Sequence, residues 1–199
     1  MKLFYVPKTR ASRPRWLLEE LGVPYELVRL DPSKGETKTP EHTARHPLQH
    51  VPVLETEDGA LFESAAICLR LADLYPEKKL VPPPGTHERA LLYQWLFYGM
   101  TELEPKVAAL AKERANKTAP EAQPMKDAHA AVAKVVAPLE KVLAGREYLV
   151  GGAFSVADVV VGSVVFWASR LGAVNDSPNV SAWLARLTAR PAYKKATAD

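Results

Sequence analysis

The stretch KLFYVPKTRASRPRWLLEELGVPYELVRL, residues 2–30, contains two runs of strand length that flank a segment with helical spacing. KLFYV is short and apolar, and YELVRL alternates apolar and polar residues, so both are predicted to be strands. Between them, RWLLEELG repeats apolar residues at helical spacing and ends at Gly22, with Pro24 two residues later. The stretch therefore predicts a βαβ unit with parallel strands and a right-handed crossover.

A second set of elements follows a polar segment around PEHTARH, in which we expect one further helix. The run VPVLETEDGALFES, residues 51–64, predicts two strands joined by a turn at Asp58 and Gly59. SAAICLRLADLYP then predicts a helix that begins at Ser64. The first part of the chain is thus expected to be an α/β domain, with a small mixed sheet and helices packed on it.

The composition changes beyond residue 76, where no convincing strand follows and Ala, Leu, Lys and Glu are frequent. The prolines of YPEKKLVPPPG predict a stiff, extended linker. We therefore predict a first domain over residues 1–76, a linker over 77–86 and an all-α helical bundle over 87–199.

The all-α part is predicted to begin with one long helix over residues 88–115, in which Pro105 introduces a kink. Three more helices are predicted from DAHAAVAKVVAPLEKVLAG, which ends at Gly145, from VADVVVGSVVFWASRLG and from NVSAWLARLTARPAY. Ser155 and Asp158 in FSVAD have the spacing of a capping box, in which each side chain satisfies backbone N–H groups of the other. We interpret this pair as structural rather than catalytic.

Charge and cysteine content exclude several classes of partner. Lys and Arg number 26 against 23 Asp and Glu, and the basic residues are scattered, so nucleic acid is not an expected partner. No apolar run reaches the length of a signal h-region or a membrane span, so we expect a cytoplasmic protein without a membrane partner. Cys68, the only cysteine, is expected to be a buried apolar residue. The sequence has neither His/Cys clusters with metal-ligand spacing nor a GxxxxGK[ST] phosphate loop, so no metal is expected.

Two features of the first domain point to a peptide-like ligand. Val51 precedes Pro52 where a strand should begin, and if their bond is cis, an extended ligand can pair with the free backbone groups of Val51. Glu63 and Ser64 stand where a strand ends and a helix begins, so the helix N-terminus suits a carboxylate and Glu63 suits an ammonium. Each feature alone is common as a strand start or a helix cap. Their joint occurrence after a βαβ unit predicts a site for a zwitterionic amino-acid head group.

The chain resembles the cytosolic glutathione transferases, in a bacterial-type form with a serine/threonine-like active-site loop. The resemblance rests on KLFYVPKTRASRPRWLLEELGVPYE, on VPVLETEDGALFESAAICLRLADLYP and on SVADVVVGSVVFW, and it covers nearly the whole chain. It implies a thioredoxin-like first domain with a mixed four-stranded sheet and an all-α second domain. It also implies glutathione as co-substrate, a cytoplasmic role in detoxification and a homodimer.

The same resemblance implies roles for single residues in glutathione binding. Val51 would pair through its backbone with the cysteinyl part, with Pro52 in the cis form. Glu63 and Ser64 would hold the γ-glutamyl end. His50 would lie near the glycyl carboxylate or the cysteinyl part, and the competing interpretation is an ordinary exposed residue.

The reaction requires a group that stabilises the thiolate of glutathione, because a free thiol has a pKa of about 8.5. A hydroxyl that donates to sulfur, the N-terminus of the first helix, and Arg10 and Arg13 would all favour the anion. In the serine-using classes that the chain resembles, counting back from Arg13 points to Thr9 as the hydroxyl. Ser12 and Tyr5 are the alternatives, although Ser12 also fits the N-cap of the first helix. A backbone N–H or Arg10 is a further alternative.

The resemblance implies an enzyme in which the thiolate attacks a hydrophobic small molecule that approaches from the second domain. Conjugation, isomerisation, dehalogenation and peroxide reduction all occur in the family, and the sequence does not choose among them. Because Thr stands where the family commonly has Ser, the alternative is a non-catalytic glutathione-transferase-like module that binds ligands or protein partners. Candidates for the electrophile site, unless they belong to the core, are Tyr98, Thr101, Phe166, Trp167 and Arg170.

Overall fold

Strand β1 (Lys2–Tyr5) lies inside a four-stranded sheet in the computed structural model, which describes residues 1–199. It pairs in parallel with β2 (Glu26–Arg29) and antiparallel with β3 (Val53–Thr56). Strand β3 pairs antiparallel with β4 (Gly59–Phe62), which gives the order β2-β1-β3-β4. The predicted βαβ unit, hairpin and mixed sheet of a thioredoxin-like domain are confirmed.

Helix α1 (Ser12–Leu21) joins the two parallel strands and packs against α3 (Ser64–Leu74). Gly22 ends α1 with φ at 67°, a left-handed conformation that an L-residue with a Cβ adopts only with strain. The core between the sheet and these helices contains the fully buried Leu3, Leu17, Leu18, Leu21, Leu54, Ile67 and Leu71. Burial of these apolar side chains is the main free-energy term that holds the unit together.

Helix α2 (Pro40–Arg45) forms inside the polar segment where one further helix was predicted. Thr39 caps it, because the Thr39 hydroxyl accepts the His42 N–H at 3.2 Å. Pro40 stands in its first turn, where its missing N–H removes no hydrogen bond. Helix α2 brings the segment that follows it to the start of β3.

The second compact unit, Pro82–Thr188, contains helices and no strand. Its helices are α4 (His87–Phe97), α5 (Glu104–Ala115), α6 (Gln123–Val142), α7 (Val156–Arg170) and nearly all of α8 (Pro178–Ala189). This architecture confirms the predicted all-α part of the fold. Across the whole chain, the helices are all too short or too polar to cross a membrane.

The predicted capping box is present at the start of α7. Asp158 Oδ2 accepts the Ser155 N–H at 2.9 Å, and the Ser155 hydroxyl lies 3.1 Å from the same oxygen. Asp158 Oδ1 accepts the Leu149 N–H at 3.1 Å and Trp183 Nε1–H at 2.9 Å. Burial raises the pKa of Asp158, while these donors act in the opposite direction. The carboxylate thus joins the start of α7 to the preceding loop and to α8.

The predicted long helix over residues 88–115 is interrupted. Helix α4 ends at Phe97, and a π-helical segment over Tyr98–Leu103 precedes α5. Pro105 lies in the first turn of α5, where a proline is tolerated, and the departure from α-helical geometry is the π segment that directly precedes α5. A Cβ at Gly99 would lie 3.2 Å from Val161 Cγ2, which shows how closely the π segment approaches α7.

The predicted last helix is also divided, because Arg190 adopts an extended conformation with ψ at 133° between α8 and α9 (Pro191–Ala196). The prediction assigned all residues from 87 onward to the second domain, whereas Ala189–Asp199 groups with Met1–Val81. Arg190 donates two hydrogen bonds to Glu20, at 2.6 and 2.8 Å. These contacts hold the C-terminal segment on α1.

Candidate active site

Two of the three predicted hydroxyls lie where the chain passes from β1 to α1: Thr9 in the loop and Ser12 at the start of the helix. Thr9 Oγ1 donates to the Val6 carbonyl at 2.7 Å and accepts the Ala11 N–H at 3.3 Å. Ser12 is the first residue of α1 and its hydroxyl makes no hydrogen bond. Ala11 occupies the N-cap position without a side-chain cap, so the interpretation of Ser12 as the cap is wrong.

The third predicted hydroxyl, that of Tyr5, is held by the C-terminal segment. It donates to Asp199 Oδ2 at 2.8 Å, and Arg15 also pairs with the Asp199 carboxylate. Burial raises the pKa of Tyr5, and the bond to Asp199 adds to this effect. A tyrosine whose proton is bound by a carboxylate is a poor donor to a second anion.

A buried cation lies behind the predicted head-group residues. Arg13 is buried, and its Nη1 donates to Ser64 Oγ at 3.0 Å across 51 positions of sequence. Because Arg13 supplies the donor, the Ser64 hydroxyl retains its own proton for a ligand. Glu63 precedes α3 with φ at 69°, a conformation that is strained for a non-glycine residue and is typical of functional sites.

Val51 stands between α2 and β3, and its bond to Pro52 is cis, as the resemblance implied. Neither the N–H nor the C=O of Val51 is paired in the structure. These are the groups that an extended peptide requires in order to pair as an added strand. Arg10 and His50 are both exposed. Arg10 lies in the loop just before α1, and His50 directly precedes Val51.

Two buried histidines were not predicted. His42 Nε2 lies 2.8 Å from the His50 carbonyl, and His46 Nδ1 accepts the Leu48 N–H at 3.2 Å. Burial lowers the pKa of His46, and the charges of His50 and His42 lower it further, while that of Glu63 raises it. The four-residue spacing of His42 and His46 in PEHTARH would place both on one face of a helix, which was the available signal.

The chain matches two family models that together span most of its length. The model of the "Glutathione S-transferase, N-terminal domain" matches residues 1–73, and that of the "Glutathione S-transferase, C-terminal domain" matches residues 88–191. The chain belongs to the glutathione S-transferase family.

Relatives and solved structures agree with this family. The probable glutathione S-transferase GSTF2 of Oryza sativa subsp. japonica is 34% identical over 187 residues, which cover 90% of this chain and 86% of that protein. A glutathione transferase structure from Methylococcus capsulatus is 30% identical with a TM-score of 0.85, covering 99% of this chain and 97% of its own. A sphingomonad glutathione S-transferase complexed with glutathione is also 30% identical, with a TM-score of 0.84 and coverage of 100% and 98%.

The residues predicted for the electrophile site of this glutathione S-transferase family member lie on two elements of the second unit. Tyr98 donates to the Val135 carbonyl at 2.9 Å, and Thr101 donates to the Phe97 carbonyl at 3.0 Å. Phe166, Trp167 and Arg170 occupy the C-terminal part of α7. The hydroxyls of Tyr98 and Thr101 are thus already used within the unit, and the aromatic rings on α7 offer apolar surface.

The single cysteine, Cys68, lacks the features of a reactive thiol. Cys68 is 0% exposed in α3, and burial raises its pKa to about 12. Only the thiolate is nucleophilic, so this side chain is inert in the folded protein. The His, Cys, Asp and Glu side chains form no group of three arranged to hold a metal ion.

Proposed function

We propose that this protein binds glutathione in its first unit and promotes the attack of the thiolate on a hydrophobic electrophile. The observation that carries the proposal is the unpaired backbone of Val51 together with the Ser64 hydroxyl, whose oxygen already accepts from the buried Arg13. The first suits a peptide main chain, and the second suits a ligand carboxylate. The family-level match and the sphingomonad complex with glutathione support this choice of ligand.

In this proposal the ligand lies extended along the segment that precedes β3 and reaches the start of α3. Val51 pairs with the cysteinyl backbone, the Ser64 hydroxyl donates to the γ-glutamyl carboxylate, and Glu63 accepts from the γ-glutamyl ammonium. His50, which is exposed, lies toward the glycyl carboxylate or the cysteinyl part. Arg10 adds positive potential for the anionic ligand.

We propose Thr9 as the hydroxyl that donates to sulfur. Its oxygen accepts the Ala11 N–H, which polarises the O–H and holds it beside the N-terminus of α1. Its proton must turn from the Val6 carbonyl to the thiolate when glutathione binds. Lowering a thiol pKa by about two units requires about 2.7 kcal/mol. A hydrogen bond to a charged group contributes about 1.5–3 kcal/mol, which is of the required size.

The test compares Thr9→Ala, Thr9→Ser and Ser12→Ala in the conjugation of glutathione to chlorodinitrobenzene. We expect Thr9→Ala to lower kcat about 10- to 100-fold and to raise the pKa of the bound thiol, read from thiolate ultraviolet absorbance. Thr9→Ser keeps the donor, so its activity should stay close to that of the parent. If Ser12→Ala abolishes conjugation while Thr9→Ala does not, the donor is Ser12 and the assignment of Thr9 is wrong.

A non-catalytic glutathione-binding module is the second candidate, and one observation favours it. The Thr9 hydroxyl already donates to Val6 within the loop, so it is available to sulfur only after this bond breaks. A module of this kind would bind glutathione with an unshifted thiol pKa and show no conjugation. Calorimetry combined with the absorbance titration separates the two functions, because only the enzyme shifts the thiol pKa.

We also propose that the protein forms a homodimer. Five large apolar side chains are exposed, of which Leu48 at 67% and Phe97 at 68% are the most exposed, and larger exposed apolar patches are typical of interfaces. Light scattering of the parent and of Leu48→Ser tests this, since the variant should shift toward the monomer. Detoxification and a cytoplasmic location stay predictions.

A further inference from the structure

His42 is a polar side chain that is buried in the first unit and makes a single hydrogen bond. It is 1% exposed, and its ring packs against Phe4 with the centroids 6.3 Å apart. Its Nε2 lies 2.8 Å from the His50 carbonyl oxygen. Because a carbonyl oxygen only accepts, Nε2 carries the proton and donates.

The other nitrogen of this ring, His42 Nδ1, is buried without a partner. Burial of an unpaired polar atom is unfavourable. If the side chain at position 42 only packed against Phe4, a phenyl ring would therefore stabilise the fold more than an imidazole does. The hydrogen bond to the His50 carbonyl is therefore the contribution that distinguishes this side chain from a purely apolar one.

The peptide that receives this bond is the one that joins His50 to Val51. The chain has one cis peptide bond, between Val51 and Pro52, so the His50–Val51 peptide is trans. In a trans peptide the C=O and the N–H point in opposite directions. A carbonyl held on His42 therefore turns the Val51 N–H away from α2, where it has no partner in the structure.

The rest of the segment is tied to α2 by shorter-range bonds. The Gln49 N–H donates to the His46 carbonyl at 2.8 Å, and the Leu48 N–H donates to His46 Nδ1 at 3.2 Å. Gln49 Nε2 also reaches Thr43 Oγ1 at 3.3 Å. None of these bonds acts on the His50–Val51 peptide, so His42 makes the only hydrogen bond to this peptide in the structure.

We propose that His42 is a positioning residue for ligand binding: it orients the Val51 amide and thereby sets the affinity for the peptide backbone of glutathione. This inference rests on the proposed function, because it assigns the support of the same backbone site. His42 does not touch the thiol, so it governs binding and leaves the chemical step unchanged. The expected signature is a change in KM and Kd for glutathione without a change in kcat.

The experiment measures glutathione binding by calorimetry and conjugation kinetics for the parent, His42→Phe and His42→Gln. Phe keeps a ring of similar size and loses the donor, whereas the terminal amide nitrogen of Gln can reach the position of Nε2. We expect His42→Phe to raise Kd and KM for glutathione about five- to tenfold, with kcat at saturation within about twofold of the parent. His42→Gln should restore most of the affinity. His87→Phe, the same change at an exposed position of the second unit, is the matched control and should bind as the parent does.

Each result bears on one of the two proposals. If the parent protein does not bind glutathione, the proposed function fails, and the role of His42 fails with it. If the parent binds but His42→Phe binds equally well, only the role of His42 is refuted. Equal losses in His42→Phe and His42→Gln would show that packing, and not the hydrogen bond, matters. Should His42→Phe not fold, His42→Asn takes its place with the same expectation, because Asn is polar but too short to reach the His50 carbonyl.

Discussion

Replacement of Asp158 by Ala should be among the most destabilising single changes in the second unit. The Asp158 side chain is 0% exposed and accepts hydrogen bonds from Leu149, Ser155 and Trp183. The methyl group of Ala accepts none of them, so three N–H donors and the Ser155 hydroxyl lose their acceptor in a buried region.

The magnitude follows from the number of donors. A buried donor left unsatisfied costs about 1–3 kcal/mol, and partial entry of water lowers the sum, so we expect Asp158→Ala to lose about 3–5 kcal/mol. Asp158→Asn keeps the oxygen that Leu149 and Trp183 use and replaces only the acceptor of Ser155, so about 1–2 kcal/mol should be lost. Against a typical free energy of unfolding of about 5–15 kcal/mol, the Ala variant would be close to unfolding.

Urea denaturation followed by far-UV circular dichroism at constant pH measures these differences through the midpoint and the slope. Trp183→Phe should cost about 1–2 kcal/mol in the parent and much less in Asp158→Ala, because its partner is already gone. Asp176→Ala, at an exposed aspartate of the same unit, is the control and should change stability by less than about 0.5 kcal/mol. A loss of less than about 1 kcal/mol for Asp158→Ala, or additive effects of the Asp158 and Trp183 changes, would refute this account.

Three more predictions concern the first unit. Burial lowers the pKa of His46 below its usual 6.5, so the stability that its neutral form contributes is complete above pH 6.5 and is lost as the pH falls through the folded-state pKa. Melting temperatures measured over about pH 5–7 should therefore decline toward acid in the parent and less in His46→Asn, and equal slopes would contradict this. Because burial raises the pKa of Cys68 to about 12, dithionitrobenzoate should label it at least about 100-fold more slowly in the native protein than in urea, and fast native labelling would show that the thiol is accessible. Arg190→Lys keeps the charge but not the paired bonds to Glu20, so we expect a loss of about 1 kcal/mol in urea denaturation, whereas an unchanged midpoint would mean that these bonds contribute nothing.

The candidate site was predictable where its signals are local. Val51 and Pro52 could be singled out because a proline stands where a strand should begin. Glu63 and Ser64 could be singled out because they stand where a strand ends and a helix begins. The loop that contains Thr9 follows from the βαβ unit. His42 was not predicted, because a histidine in a polar stretch such as PEHTARH is expected to be exposed. Its hydrogen bond to the His50 carbonyl depends on how the chain folds back after α2.

The second unit shows the same division between local and long-range information. The capping box at Ser155 was predictable, since its two partners are three residues apart. The π segment over Tyr98–Leu103 was not predicted, and the close approach of Gly99 to Val161 within it joins residues that are distant in sequence.

By itself the sequence determined the strands, most helices, the all-α second part and the family, because periodicity, caps and turn residues act over a few positions. Only the tertiary structure decided that Arg13 is buried against Ser64, that the Tyr5 hydroxyl is bound by Asp199 and that the C-terminal segment packs with the first unit. Each of these facts joins residues 51 or more positions apart, and such a contact depends on the packing of whole elements, which no local pattern records.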